Sequence, residues 1–274
     1  MSNLHTQDVR RNPASDDNAG GHGHHRVALV TGAAKRLGHA IAMTMAQRGW
    51  DVVVHYHHSA DDAQATVQAI TALGQRALAL CCDLADDAAV ATLVPQTLAA
   101  FGRLDCVVNS ASLFDYDCAL DFTRASLDRH MHANLAAPVL LAQALHAATP
   151  DGFEAVVINL LDQKLYNMNP DYLSYTLSKA ALQTATVMLA QALAPKLRVA
   201  GVAPGITLIS GQQTEAEFHK AHKMTPLGRS STPQDIANTV CFIADTPGIT
   251  GTTLLVDGGQ HLVPLLRDVA FIAK

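Results

Sequence analysis

The chain has 274 residues, 49% hydrophobic and 16% charged, and 19 Lys plus Arg against 24 Asp plus Glu leave a formal net charge of −5. An acidic balance excludes nucleic acid as the main partner, because neutralising phosphates requires a basic surface. No uncharged apolar run approaches the ~18 residues of a membrane span, and Met1 to Asp17 carry charges without an apolar signal segment, so the expectation is a cytoplasmic protein with no membrane partner.

Residues 1–25 are rich in Gly, Asp, Asn and His and read as a flexible leader. The cluster Gly21-His22-Gly23-His24-His25 can bind metal adventitiously, but no metal site is expected. Ordered structure should begin at Arg26. Short apolar runs predict strands at Val27–Thr31, Val52–Tyr56, Ala77–Cys82, Cys106–Asn109, Ala155–Leu161, Arg198–Ala203 and Thr253–Val256. Between them, Ala/Leu-rich stretches predict helices at Leu37–Arg48, Ala60–Leu73, Asp86–Phe101, Arg124–Ala148, Tyr172–Leu193 and Pro233–Ala244. Strands alternating with helices predict βαβ units, hence an α/β doubly wound parallel sheet in a single domain over residues 26–263. A tail, 264–274, is apolar for a terminus (Leu265, Leu266, Val269, Phe271, Ile272) and would dock on the same domain or make a subunit contact. Five cysteines, an odd number without zinc spacing, read as buried free thiols.

The first strand runs into Thr31-Gly32-Ala33-Ala34-Lys35-Arg36-Leu37-Gly38 and then a helix. A Gly-bounded turn at a helix N-terminus can hold a pyrophosphate with backbone N–H groups and the helix dipole. The second strand ends His55-Tyr56-His57-His58-Ser59, with no acid in sequence there to accept from a ribose 2′-OH. Lys35, Arg36, His57, His58 and Ser59 can instead donate to a 2′-phosphate, which predicts NADP(H). Asp83-Leu84 follow the third strand, where a carboxylate could meet an adenine amine, and Asn109-Ser110-Ala111-Ser112 follow the fourth with small side chains. Tyr175 and Lys179 lie four apart, on one helical face. An ammonium beside a phenol would favour phenolate and lower its pKa, fitting Tyr175 for acid/base work.

From Arg26 to about His261 the sequence resembles the short-chain dehydrogenase/reductase family, through the Thr31–Gly38 turn, Asp83, Asn109–Ala111, Asn134, Tyr175 with Lys179, Pro204-Gly205 and Val256-Asp257-Gly258-Gly259. The resemblance implies a Rossmann-type fold, usually tetrameric, with hydride transfer from a nicotinamide. It implies catalytic roles for Asn134, Tyr175 and Lys179, with Lys179, Pro204, Gly205 and Thr207 also near the cofactor. Where the family carries a catalytic serine, thirteen residues before the tyrosine, this chain has Asp162. A hydroxyl can donate to a substrate carbonyl, whereas an ionised carboxylate only accepts. Asp162, Arg36, Ser59-Ala60, Ser112, Phe114 and Tyr172 are similar to the pteridine reductases of the family, in which a Phe and the nicotinamide sandwich the pterin. Departures are Ser110, Leu113 and His58, the last standing where close relatives carry Arg.

The expected activity is NADPH-dependent reduction of a C=N bond of a dihydropteridine or dihydrofolate-like substrate. Tyr175 would give the proton with help from Asp162 and Lys179, and Asn134 would hold a water linking Lys179 to solvent. Arg36, Ser112, Phe114, Asp162, Tyr172 and Tyr175 would face the substrate. The alternatives are a carbonyl reductase for ketones, 3-oxoacyl thioesters or sugars, and a catalytically silent NADP(H) sensor. A pure binder has no need of Tyr175, Lys179 and Asn134.

Overall fold

The computed structural model describes residues 25–209 and 213–272. Seven parallel strands form one sheet: β1 (Val27–Val30), β2 (Asp51–Tyr56), β3 (Ala77–Cys81), β4 (Cys106–Asn109), β5 (Ala155–Leu160), β6 (Leu197–Pro204) and β7 (Thr253–Val256), in the order β3-β2-β1-β4-β5-β6-β7. Alternating residues point to opposite faces. Ala28, Val30, Val52, Val54, Val108 and Ile158 therefore pack on one side with Ile41, Met45 and Trp50, while Val27, Leu29, Val53, Val107 and Val157 pack on the other with Leu93, Leu141 and Leu145. Both faces are covered, which is why the central strands are apolar at nearly every position.

The covering helices are α1 (Arg36–Gln47), α2 (Ala60–Ala72), α3 (Asp87–Phe101), α4 (Arg124–Met131), α5 (Ala137–Ala148), α6 (Leu173–Ala192), α7 (Glu215–Lys223) and α8 (Pro233–Asp245), with a short α9 (Val269–Ile272) in the tail. Asp86 caps α3 rather than belonging to it, accepting from the N–H groups of Ala88 and Ala89. Tyr172 likewise stands outside α6, in a left-handed conformation with φ 54. The helix expected over Arg124–Ala148 is interrupted by a π turn at His132–Ala136. α7 was not expected from the sequence; a capping box between Thr214 and Glu217 starts it. No described helix is long and apolar enough to cross a membrane.

All five cysteines are free. Cys82, Cys106 and Cys241 are buried as expected, but Cys81 is exposed and Cys118 half-buried. The His-rich leader lies outside the described residues except for His25, whose Nδ1 is 3.6 Å from Asp51. The tail docks on the same domain: Val269 is buried beside Ala221, with Ile206, Met224 and Leu265 against them. The strand order runs from β1 outward to β3 on one side and from β4 outward to β7 on the other, and this reversal leaves a crevice at the carboxyl ends of β1 and β4, where the site lies.

Candidate active site

Gly32 has a positive φ of 66, and a Cβ there would lie 3.1 Å from Ala111 Cα. At Gly38 a Cβ would stand 2.2 Å from the Gly32 carbonyl oxygen, so only glycine lets α1 start this close to the turn. Thr31 Oγ1 accepts from the N–H groups of Ser110 (2.9 Å) and Ala111 (3.0 Å), tying the loop after β4 to this turn. His55, in the candidate cofactor set, lies beneath the turn. Its Nδ1 accepts from Gly32 N–H at 3.1 Å and its Nε2 faces the Cys82 carbonyl at 3.0 Å. Burial lowers its pKa to about 4, leaving a neutral ring that braces the loop.

Lys35 does not stand free, because its Nζ pairs with Asp62 at 2.8 Å. Arg36, at φ 54, donates to the Ile209 carbonyl at 2.8 Å from the lip of the cleft, and Leu37 lines it. His57 and His58 rest ring on ring, 3.5 Å between centroids, and His57 Nε2 is 3.8 Å from Asp83. Acids therefore do stand in this corner, Asp62 on Lys35 from α2 and Asp83 beside His57 from the loop after β3, although none immediately ends β2. Tyr56 packs on the core, Ser59 precedes α2 without capping it by its side chain, and Leu84 is buried. Asn109 donates to Asn159 at 2.8 Å, and its own Oδ1 is buried without a partner among the described residues.

A cleft of about 250 Å³ brings Arg36, Ser110, Ser112, Phe114, Asp162, Tyr175, Lys179, Pro204, Gly205 and Thr207 together. Thr207 Oγ1 reaches the Gly205 carbonyl (2.9 Å) and Ser231 (2.8 Å), shaping the loop after β6. Gln163, Gln213, Gln260, Asp268 and Val269 also line the cleft, and the sequence reading missed them because the tail and the 163–166 turn reach it only through tertiary folding.

Asp162 follows β5 and opens a 3₁₀ turn, where its Oδ1 accepts from Lys164 N–H at 2.8 Å. Its Oδ2 accepts the Tyr175 hydroxyl proton at 2.7 Å. Lys179 Nζ donates to the Leu160 carbonyl at 2.7 Å and stands 5.8 Å from the Tyr175 ring centre. This arrangement corrects the expected phenolate. Burial, reinforced by the facing Asp162, pushes the Tyr175 phenol well above its ordinary value. Burial also raises the Asp162 carboxyl and lowers the Lys179 ammonium to about 8.

Asn134 sits in the π turn and is buried. Its amide donates to the Leu113 carbonyl (3.0 Å) and Ser178 Oγ (2.9 Å) and accepts from Leu113 N–H (2.8 Å) and Ser112 Oγ (3.2 Å). Those four bonds fill the side-chain amide's capacity, and with them it ties the 112–113 loop to α6. Phe114 is 42% exposed; Tyr172 stacks on it at 4.3 Å and Tyr175 meets it edge-on at 4.6 Å. One side of the ring expected to cover a substrate is thus already covered by Tyr172. No group of three or more His, Cys, Asp or Glu placed to hold a metal occurs among the described residues.

Residues 32–261 match a family model described as enoyl-(acyl carrier protein) reductase. An uncharacterized oxidoreductase of Methylorubrum extorquens is 34% identical over 85% of this chain and 97% of its own. A 3-oxoacyl-[acyl-carrier-protein] reductase, FabG, of Staphylococcus aureus is 31% identical over 86% of this chain and 98% of its own. Among solved structures, FolM alternative dihydrofolate reductase 1 of Brucella canis, complexed with NADP, superposes with a TM-score of 0.85 at 38% identity, covering 89% of this chain and 97% of its own. A short-chain dehydrogenase of Burkholderia cenocepacia, also with NADP, gives 0.79 at 32% identity, covering 85% and 97%.

Proposed function

Because the chain belongs to the short-chain dehydrogenase/reductase family, we propose that it is an NADPH-dependent reductase acting on a C=N bond of a dihydropteridine or dihydrofolate-like pterin. The cofactor fits the residues present. Gly32 supplies the positive φ of the turn and Gly38 lets α1 start against it, the backbone form that holds a pyrophosphate, and Arg36 and Leu37 line the adjoining cleft. When bound, the cofactor supplies hydride to the ring carbon of the C=N bond. Tyr175 gives the adjacent nitrogen its proton, so that C=N becomes CH–NH. A phenol held well above its ordinary pKa stays protonated at neutral pH, so the proton that reduction consumes is in place. Lys179, lowered to about 8, can exchange a proton near working pH.

The observation that carries the pterin reading is the 2.7 Å bond from the Tyr175 hydroxyl to Asp162. An acceptor-only carboxylate beside the proton donor repels a ketone oxygen but complements ring N–H and amino donors. Similarity to the Brucella dihydrofolate reductase supports the same substrate class. Similarity to the 3-oxoacyl reductase favours the second reading, a carbonyl reductase. An NADPH-oxidation assay over dihydropterins, ketones, 3-oxoacyl thioesters and sugars separates them: dihydropterins should give the highest kcat/KM, and no turnover of any dihydropterin overturns the proposal. Leu177 and Met188, exposed and about three turns apart on α6, offer a subunit contact; a homotetramer is the assembly we infer, and light scattering tests it.

A further inference from the structure

The tail does more than end the chain. Resting on the reading of Asp162 and Tyr175 as the proton-handling pair, we propose that Lys164 is a positioning residue through which the C-terminal segment 264–272 sets that pair.

Lys164 is 3% exposed and serves both sides at once. Its backbone N–H holds Asp162 Oδ1 at 2.8 Å, on the carboxylate whose other oxygen takes the Tyr175 proton. Its ammonium donates to the Asp171 carbonyl and stands 3.7 Å from Asp268 of the tail. The tail is latched beside it. Arg267 forks onto the Asp171 carboxylate at 2.8 to 3.0 Å, and Asp268 N–H donates to the same carboxylate at 2.7 Å. Burial alone would raise the Asp171 pKa, but the bonds from Arg267 and Asp268 outweigh it and hold the group ionised. Phe271 leans on Tyr116 (5.4 Å) and Tyr172 (6.2 Å), and Tyr172 stacks on Phe114. Asp268 and Val269 therefore line the same cleft as Asp162 and Tyr175.

A purely mechanical tie could be made of apolar contacts. This one places charge beside the chemistry. The groups facing the pair are Lys179 from α6, Lys164 from the 3₁₀ turn and Asp268 from the tail, with Asp171, Arg267 and Tyr172 behind them. The Asp268 carboxylate adds to the upward push on both Asp162 and Tyr175. Burial lowers the Lys164 ammonium and outweighs the opposing pull of Asp268, Asp162 and Asp171, so tail and active site both act on this one cation.

The test uses the full chain with Asp268→Asn, Arg267→Ala, Lys164→Arg and Lys164→Met, on whichever substrate the wild type reduces best with NADPH. NADPH binding, followed by fluorescence, should be unchanged. Removing the Asp268 charge takes away its upward push on Asp162, so the acidic limb of kcat should move to lower pH. Arg267→Ala should raise KM and lower kcat, with a combined loss of up to ~10²-fold in kcat/KM. Lys164→Arg should retain activity that Lys164→Met loses; if the latter fails to fold, Asp268→Asn alone carries the test. Hydrogen exchange gives a readout without turnover: amides of 162–172 should exchange faster in Arg267→Ala. Coincident pH profiles for Asp268→Asn and wild type, or unaltered exchange at 162–172, overturn the proposal. A chain that reduces only ketones yet shows both effects loses the pterin reading and keeps this one.

Discussion

The Tyr175 hydroxyl donates to the Asp162 carboxylate across 2.7 Å, while Lys179, four residues along the helix from Tyr175, turns its ammonium to the Leu160 carbonyl. The nearest partner of the acid is thus a carboxylate, and the chemistry of the site follows from that pairing.

Replacing Asp162 with serine tests it. Asp162→Ser removes the acceptor for ring donors and restores a hydroxyl that can donate to a carbonyl. Reduction of dihydropterins should fall while turnover of a simple ketone is unharmed or rises. Steady-state kcat/KM for both substrates in both proteins decides, and equal losses on the two would return the protein to the carbonyl-reductase reading.

Tyr175→Phe keeps the ring but removes the proton. Turnover should drop by ~10²–10⁴, and NADPH should still bind, because the turn at Gly32–Gly38 is untouched. Near wild-type turnover in this variant would refute the assignment of Tyr175 as donor.

Acid should loosen the phosphate turn through His55. Burial holds its folded-state pKa at about 4, below the ordinary 6.5. Between those values the unfolded chain binds the proton and the native chain does not. Stability that is fully present above 6.5 is therefore lost as pH falls through about 4. The loss amounts to ~3 kcal/mol at most. Calorimetric melting from neutral pH to about 4 should show it, and His55→Gln should flatten this part of the dependence.

Cofactor choice rests on the corner made by Lys35, Arg36, His57, His58 and Ser59. A charged contact to a 2′-phosphate is worth ~1.5–3 kcal/mol, about one to two decades in affinity. Fluorescence titration should find NADPH bound more tightly than NADH. Asp62→Asn, which frees Lys35 from its 2.8 Å partner, should widen the gap. Equal affinity for the two cofactors would remove the 2′-phosphate role from this corner.

The strands were legible to within about a residue because burial on both faces writes an unbroken apolar run, as in Val27–Val30 and Ala155–Leu160. α7 was not, since its polar sequence buries only Ala221; its readable mark was the Thr214–Glu217 capping box. The residue types of the site could be read from spacing, yet their pairing could not. Whether Lys179 or Asp162 governs Tyr175 depends on where a residue thirteen positions earlier lands after β5 ends. Lys35 illustrates the same gap: next to Arg36 in sequence it reads as a free cation, and only the placement of α2 supplies Asp62.

The π turn at His132–Ala136 carries a trade between helical regularity and work. One residue more than an α-turn holds is accommodated there, and the bulge turns Asn134 inward to the loop bearing Ser112 and Leu113. Deleting Ala133 would let the stretch from Arg124 to Ala148 wind as one uninterrupted α-helix. The shortened protein should melt no lower than its parent while losing turnover, since the loop in front of Phe114 would lose the bonds Asn134 gives it. Thermal tolerance and catalytic competence would then part company at a single peptide unit, which makes this bulge a place where selection for robustness alone would erase the enzyme.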